Sequence, residues 1–319
     1  MNKDVVALGE LLIDFTENGI SSSGNPLFEA NPGGAPCNVL SMLNNLGKKT
    51  AFIGKAGDDA FGRMLKKTLD DLGIDTAGLL MDKEVHTTLA FVHNSEDGDR
   101  DFSFYRKPGA DMMLRSYEVK YELIDNARLF HFGTLSMTNK EVREATLSSL
   151  AYAKEKGCLI SFDPNLRVPL WDDLEDAKEA MKEGLMYCDI LKISDNEIEF
   201  LTGESDYTEG VKKIRKDYPV PLILVSMGRN GSRAYLNGED FVEVESFIME
   251  DTQDTTGAGD TFCACCINFV LDNGLDLTQG ELRNMLIYAN AAAAIVTTRK
   301  GALKVMPKDR EVRSLMDGR

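Results

Sequence analysis

The segment DTTGAGDTF, Asp254 to Phe262, sets two glycines and an aspartate at the start of a strongly helical run. Gly257 and Gly259 leave the backbone bare, and the first-turn N–H groups of a helix lack intrahelical acceptors. Residues Gly257, Ala258 and Gly259 can therefore cradle an anion at the positive end of the helix dipole. Asp260, in the same turn, can take a proton from an attacking hydroxyl. A base beside a set of donors is what phosphoryl transfer to an alcohol requires. Taken alone, the turn also fits a carboxylate that merely favours a helix N-terminus. No Walker-type GxxxxGK[ST] occurs, so the cradle differs from the P-loop. The G-x-G-x-x-G fingerprint is absent from the first strand-to-helix turn, which argues against a nicotinamide-dependent dehydrogenase.

The elements that must carry this turn are legible from about residue 120 onward. LFHFG (129 to 133) precedes a helix expected over 138 to 156, CLISF (158 to 162) one over 173 to 187, and DILKIS (189 to 194) one over 196 to 202. LILVSM (222 to 227) follows, and long helices close the chain near 258 to 272 and 278 to 298. Gly157 and Gly203 sit where helix C-terminal caps belong. The alternation predicts an α/β fold, a mostly parallel sheet covered by helices on both faces. Two stretches break it. Residues 10 to 32 are extended, and TTLAFVHN (87 to 94), an Asp97-Gly98 turn and RDFSFYR (100 to 106) predict a hairpin. Together they predict a small accessory sheet, read as a lid spanning 10 to 32 and 87 to 113 on one domain of residues 1 to 319.

With 319 residues, 43% of them hydrophobic, the chain can bury a large core without disulfide or metal. A net charge of −16 disfavours nucleic acid and anionic membranes as partners. The start, MNKDVVALGELLIDF, lacks signal-peptide features, and no apolar run approaches the roughly 20 residues of a membrane span. A soluble, cytoplasmic protein is expected. Its six cysteines show no spacing that suits a small secreted framework and are expected to be reduced thiols.

DTTGAGDTF resembles the carboxyl-terminal signature of ribokinase-like (phosphofructokinase-B type) carbohydrate kinases. The amino-terminal signature of that family has its counterpart in NPGGAPCNVLSMLNNLG (Asn31 to Gly47), followed by FIGKAGDDAFG (Phe52 to Gly62). SDNEIEFLTG (194 to 203) and TRKGA (298 to 302) extend the resemblance over nearly the whole chain. Within the family GELLIDF, TTLAFV, FSFYRKPGADMML, FHFGTLSM and FDPNLRVPLW read most like fructokinase segments. The resemblance implies a three-layer α/β/α kinase fold and transfer of phosphate from MgATP to the 6-hydroxyl of fructose, with Asp260 as catalytic base.

A sugar has to be oriented by several hydrogen bonds in a mostly dry pocket. Asp14, Gly33, Gly34 and Asn38 suit that task, the glycines by letting substrate reach the backbone. Arg106 and Arg167 follow expected strands; each either holds substrate oxygens or makes a structural ion pair. An arginine pair also suits an acidic sugar such as 2-keto-3-deoxygluconate. By resemblance, Asn196 and Glu199 form an N-x-x-E pair handling Mg2+ through water, and Ser226, Gly228, Gly231 and Asn290 line the nucleotide pocket. Asp254 and Thr256 are implied in binding K+, with turn capping as the rival explanation. His131 reads as a satisfied core residue. A homodimer through the lid and a sugar-binding regulator that has lost transfer stay open.

Overall fold

The computed structural model describes residues 2–94 and 100–318. Strand β1 (Val5–Leu8) leads into β2 (Leu12–Ile20) and β3 (Pro26–Gly33), then helix α1 (Ala35–Asn45), β4 (Thr50–Gly57), α2 (Ala60–Asp71) and β5 (Asp75–Asp82). Next come β6 (Leu89–Asn94), β7 (Arg100–Tyr105), β8 (Leu129–Phe132), α3 (Lys140–Glu155), β9 (Leu159–Phe162), α4 (Leu174–Leu185), β10 (Ile190–Ser194), α5 (Asp195–Thr202) and α6 (Tyr207–Asp217). The chain closes with β11 (Leu222–Ser226), β12 (Ser232–Leu236), β13 (Phe241–Val244), α7 (Ala258–Asn273), α8 (Gln279–Val296) and α9 (Asp309–Asp317).

A nine-stranded sheet runs β13-β12-β11-β10-β9-β8-β1-β4-β5, parallel from β11 through β5, with β12 and β13 antiparallel at one edge. Strand β1 shows why both faces are covered. Val5 and Ala7 enter one core with α1, α2, α7, α8 and α9; Val6 and Leu8 enter the other with α3 to α6. A strand buried on both sides must be continuously apolar, as VVAL is. The three-layer expectation therefore holds, and helices 174–185, 195–202, 258–273 and 279–296 begin and end within a few residues of their expected bounds. Gly157 and Gly203 adopt the left-handed conformation expected of C-terminal caps.

From β1 the chain proceeds to β4 on one side, and β8 is added on the other. This reversal opens a crevice at the strands' carboxyl ends, where open α/β sheets bind ligands. Over the crevice lies a second sheet, β3-β2-β6-β7. Residues 10–32 supply its first hairpin and β6 pairs parallel to β2, so two excursions far apart in sequence form one sheet. The Asp97-Gly98 turn lies outside the described residues. Among the described residues no helix is long and apolar enough to cross a membrane.

Candidate active site

A cavity of about 530 Å³ lies between the two sheets. Its roof follows from strand alternation: Leu12, Asp14 and Thr16 of β2 point into it. Phe15 points the other way, stacks on Phe91 at 4.8 Å and meets Phe61 of α2 edge-on at 5.5 Å. Asn31 opposes Asp14 across the β2–β3 pair and donates to Thr16 Oγ1 at 2.8 Å. A Cβ at position 33 would collide with Asp14 Oδ2, so Gly33 is what lets this carboxylate sit where it does. Gly34 has φ 128° and its missing side chain would strike the Glu10 carbonyl.

Asp14 has no hydrogen-bond or ion-pair partner among the described residues. Burial, with Arg167 opposing and Asp254 and Asp260 adding, pushes its carboxyl up to about 7. Glu10, not foreseen as a site residue, borders the same end of the cavity and accepts from Ala35 N at 2.7 Å, holding the N-terminus of α1. One turn on, Asn38 Nδ2 donates to Asp260 Oδ2 at 2.8 Å, while Asn38 Oδ1 is buried with no partner among the described residues.

Helix α7 starts differently from its neighbour. Thr278 and Glu281 make a capping box for α8, whereas α7 begins at Gly257, left-handed at φ 80°, with no side-chain cap. The amides of Gly259 and Asp260 have no acceptor among the described residues, and this end of the helix opens on the cavity. Gly257 fits because a side chain there would strike Ala302. Asp260 is buried; burial raises its pKa, and Asn38, Lys192 and Arg167 pull it back. A base held above the ordinary carboxylate range while still hydrogen-bonded suits proton abstraction from an alcohol.

Several expected residues are relocated. Arg106 is buried with every nitrogen engaged: Asp111 at 2.7 and 2.8 Å, Thr138 Oγ1 at 2.8 Å and the Leu135 carbonyl at 2.8 Å. It is spent on structure and does not border the cavity, so the ion-pair alternative holds there. Arg167 does border it, exposed and, among the described residues, bonded only to the Leu166 carbonyl. The Asn196 and Glu199 expectation is corrected by two residues. Both side chains are exposed and away from the cavity, while Ser194 and Glu197 line it as a capping box. Glu197 oxygens accept from Leu166 N at 2.7 Å and Ser194 N at 2.8 Å. The capping pattern S-x-x-E would have found this pair.

Ser226 pairs with Ser194 across β10 and β11 and the Gly228–Gly231 turn follows it; Ser226, Gly228 and Gly231 do not border the cavity. Gly231 is required there, since a Cβ would meet the Val244 carbonyl. Asn290 is buried and fully used, accepting from Ser232 Oγ at 2.9 Å and donating to the Val244 and Glu245 carbonyls. It clamps α8 to the sheet edge and does not border the cavity. Asp254 accepts from Thr256 N at 2.8 Å and Gly301 N at 3.0 Å, stapling two loops at the cavity wall. His131 is buried against Ser161 Oγ at 3.1 Å and burial drives its pKa down to about 3, a neutral core residue as expected. The six cysteines are free and buried. Among the described residues no cluster of three or more His, Cys, Asp or Glu side chains is arranged to hold a metal.

The model of the pfkB family carbohydrate kinases matches residues 2–309. Probable fructokinase-2 of Arabidopsis thaliana is 44% identical over 98% of this chain and 95% of its own. Fructokinase-2 of Solanum lycopersicum is 39% identical over 98% and 96%. Among solved structures, a fructokinase with bound ATP from Xylella fastidiosa superposes with a TM-score of 0.89 at 30% identity, covering 99% of each chain. A fructokinase from Vibrio cholerae with fructose, ADP and calcium bound gives 0.88 at 29% identity, covering 98% of this chain and 99% of that one. The chain therefore belongs to the pfkB family of carbohydrate kinases.

Proposed function

We propose that the protein is an ATP-dependent fructokinase that moves the γ-phosphoryl group of MgATP to the 6-hydroxyl of fructose. The observation that carries this reading is the convergence on one cavity of buried Asp260, two amides of α7 and the carboxylate of Asp14, the amides and Asp14 being without partners among the described residues. Sugar hydroxyls donate to Asp14 and to Asn38 Oδ1, the latter a buried oxygen with no partner among the described residues. Asp260 takes the proton of the attacking hydroxyl, and the free amides of Gly259 and Asp260 at the 257–259 turn, with Arg167, offset charge on the transferring oxygens. Residues 1–319 work as one kinase domain. Its second sheet, spanning 10–32 and 87–113, serves as a lid that excludes water.

ATP lies along the strand ends from Ser194 to Ser226, Gly228 and Gly231. Magnesium enters as part of MgATP; both Glu197 oxygens already accept amide protons, so Glu197 meets the ion through water. Asp254 and Thr256 hold the loop that the resemblance assigns to K+, and their amide contacts favour the turn-capping explanation. The lid's outer face exposes Ile20, Phe28 and Tyr105, which suits a homodimer. Free, buried thiols suit a cytoplasmic setting.

The acidic-sugar reading, 2-keto-3-deoxygluconate, loses weight because Arg106 is engaged and only Arg167 is left to meet a carboxylate. A silent sugar-binding regulator is disfavoured by the intact base and open amide turn. The test is ADP release with MgATP and fructose, ribose, 2-keto-3-deoxygluconate or no sugar, with and without potassium. Preferential turnover of fructose supports the proposal; another preferred sugar replaces the substrate, and sugar binding without ADP favours the regulator.

A further inference from the structure

Lys192 stands in the middle of an apolar strand, ILKIS, and is only 6% exposed. A buried ammonium has to be compensated. Its partner is Asp163, whose two oxygens lie 3.1 and 3.2 Å from Nζ. Burial works against the charge, but Asp163 and Glu197 outweigh it and hold the lysine protonated above its ordinary range. A pair serving only to fill the core would have no need of the cavity, yet Lys192 borders it together with Gly257, Gly259 and Asp260. A Cβ at position 259 would lie 3.2 Å from Nζ, so the bare backbone of Gly259 keeps the ammonium against the amide turn. Among the described residues Nζ donates only to Asp163, which leaves N–H capacity for a ligand.

We propose that Lys192 is a catalytic residue whose ammonium contacts the oxygens of the transferring phosphoryl group, with Asp163 as its positioning residue. The inference deepens the kinase reading above and rests on it. As the sugar oxygen bonds to phosphorus, its proton passes to Asp260. The bond from phosphorus to the bridging oxygen breaks, and that oxygen leaves with the electron pair on ADP. Lys192 keeps its own proton throughout and offsets the charge on the non-bridging oxygens. Because it is fixed on strand β10 by Asp163, no reorganisation is needed during transfer. Arg167, exposed on a loop, lacks that fixation. Asp163 also accepts from Asn165 N at 3.1 Å, so one carboxylate orients both the ammonium and the loop that carries Arg167.

The competing role is neutralisation of Asp163 alone, and a double variant separates the two. Lys192→Met, Asp163→Asn and the combined variant are compared with the wild type for kcat, KM and melting temperature. Lys192→Met is expected to lower kcat by about a hundredfold or more, as loss of one oxyanion donor does, with the KM for fructose within about threefold. The combined variant does not leave Asp163 as a bare buried carboxylate, so it is expected to fold; its kcat is expected to stay as low as that of Lys192→Met. Recovery of the double variant to within about fivefold of wild type would overturn the proposal. A second readout does not depend on sugar turnover: binding of MgADP with and without aluminium fluoride, a phosphoryl mimic. Tighter binding with fluoride in the wild type that is lost in both Lys192→Met variants supports the contact. Equal enhancement in all variants refutes it. A wild type inactive on fructose defeats the substrate assignment alone, and the fluoride experiment then decides the role of Lys192.

Discussion

The two ends of the cavity treat their carboxylates differently. At the phosphate end each is tied down: Asp260 by Asn38, Asp163 by Lys192, Asp254 by two amides and Glu197 by two more. At the sugar end Asp14 has no protein partner among the described residues, and Asn38 Oδ1 is left over. The phosphate end is built in advance, as charge stabilisation in a transition state demands. The sugar end is completed by its ligand, whose hydroxyls supply the hydrogen bonds the protein withholds.

That contrast can be broken by substitution. Asp260→Asn keeps the bulk and the approximate position but removes the base, so kcat is expected to fall by about a thousandfold or more while fructose affinity by calorimetry stays within a few-fold. Equal losses in affinity and kcat would mean that Asp260 chiefly binds sugar. Asp14→Asn acts at the unprepared end and is expected to raise the KM for fructose by about 10- to 100-fold, the range for hydrogen bonds to a charged group, with a smaller change in kcat. Gly33→Ala pushes on Asp14 without removing it, and a rise in KM of roughly tenfold is expected.

The smallest effect is on stability, and its sign separates binding from folding. Asp14 titrates at about 7 in the folded chain, above its ordinary value of 3.8. The folded state thus holds this proton longer than the unfolded state, and its contribution to stability is lost as pH rises through that window. Without ligand, the melting temperature of Asp14→Asn relative to wild type is expected to climb between about pH 4 and pH 7, by a few degrees. A difference that is flat with pH would show that the carboxylate is already satisfied in the empty protein.

The phosphate turn was readable because it is local: Gly257, Gly259 and Asp260 fall within one helical turn, and their spacing states their function. The layered fold was equally readable from apolar strands alternating with amphipathic helices. The accessory sheet was legible in its parts, since 10–32 and 87–106 both read as extended. The parallel pairing of β2 with β6 that joins them is a long-range choice no local pattern encodes. The roles of the two arginines were not separable, because only tertiary structure hands Asp111 to Arg106 and leaves Arg167 at the cavity. The acidic pair was placed two residues late, since SDNEIE offers two i, i+3 pairs and only burial chooses between them. Lys192 did leave a signal, a lysine in an apolar strand, which by itself demands a partner.

The most direct test of the account is the position of the phosphate on the product. Wild-type protein, MgATP and 13C-labelled fructose are incubated, and carbon–phosphorus couplings in the NMR spectrum identify the esterified carbon. The account predicts the ester at carbon 6 and no ester with Asp260→Asn. An ester at carbon 1, or undiminished product from Asp260→Asn, would contradict it.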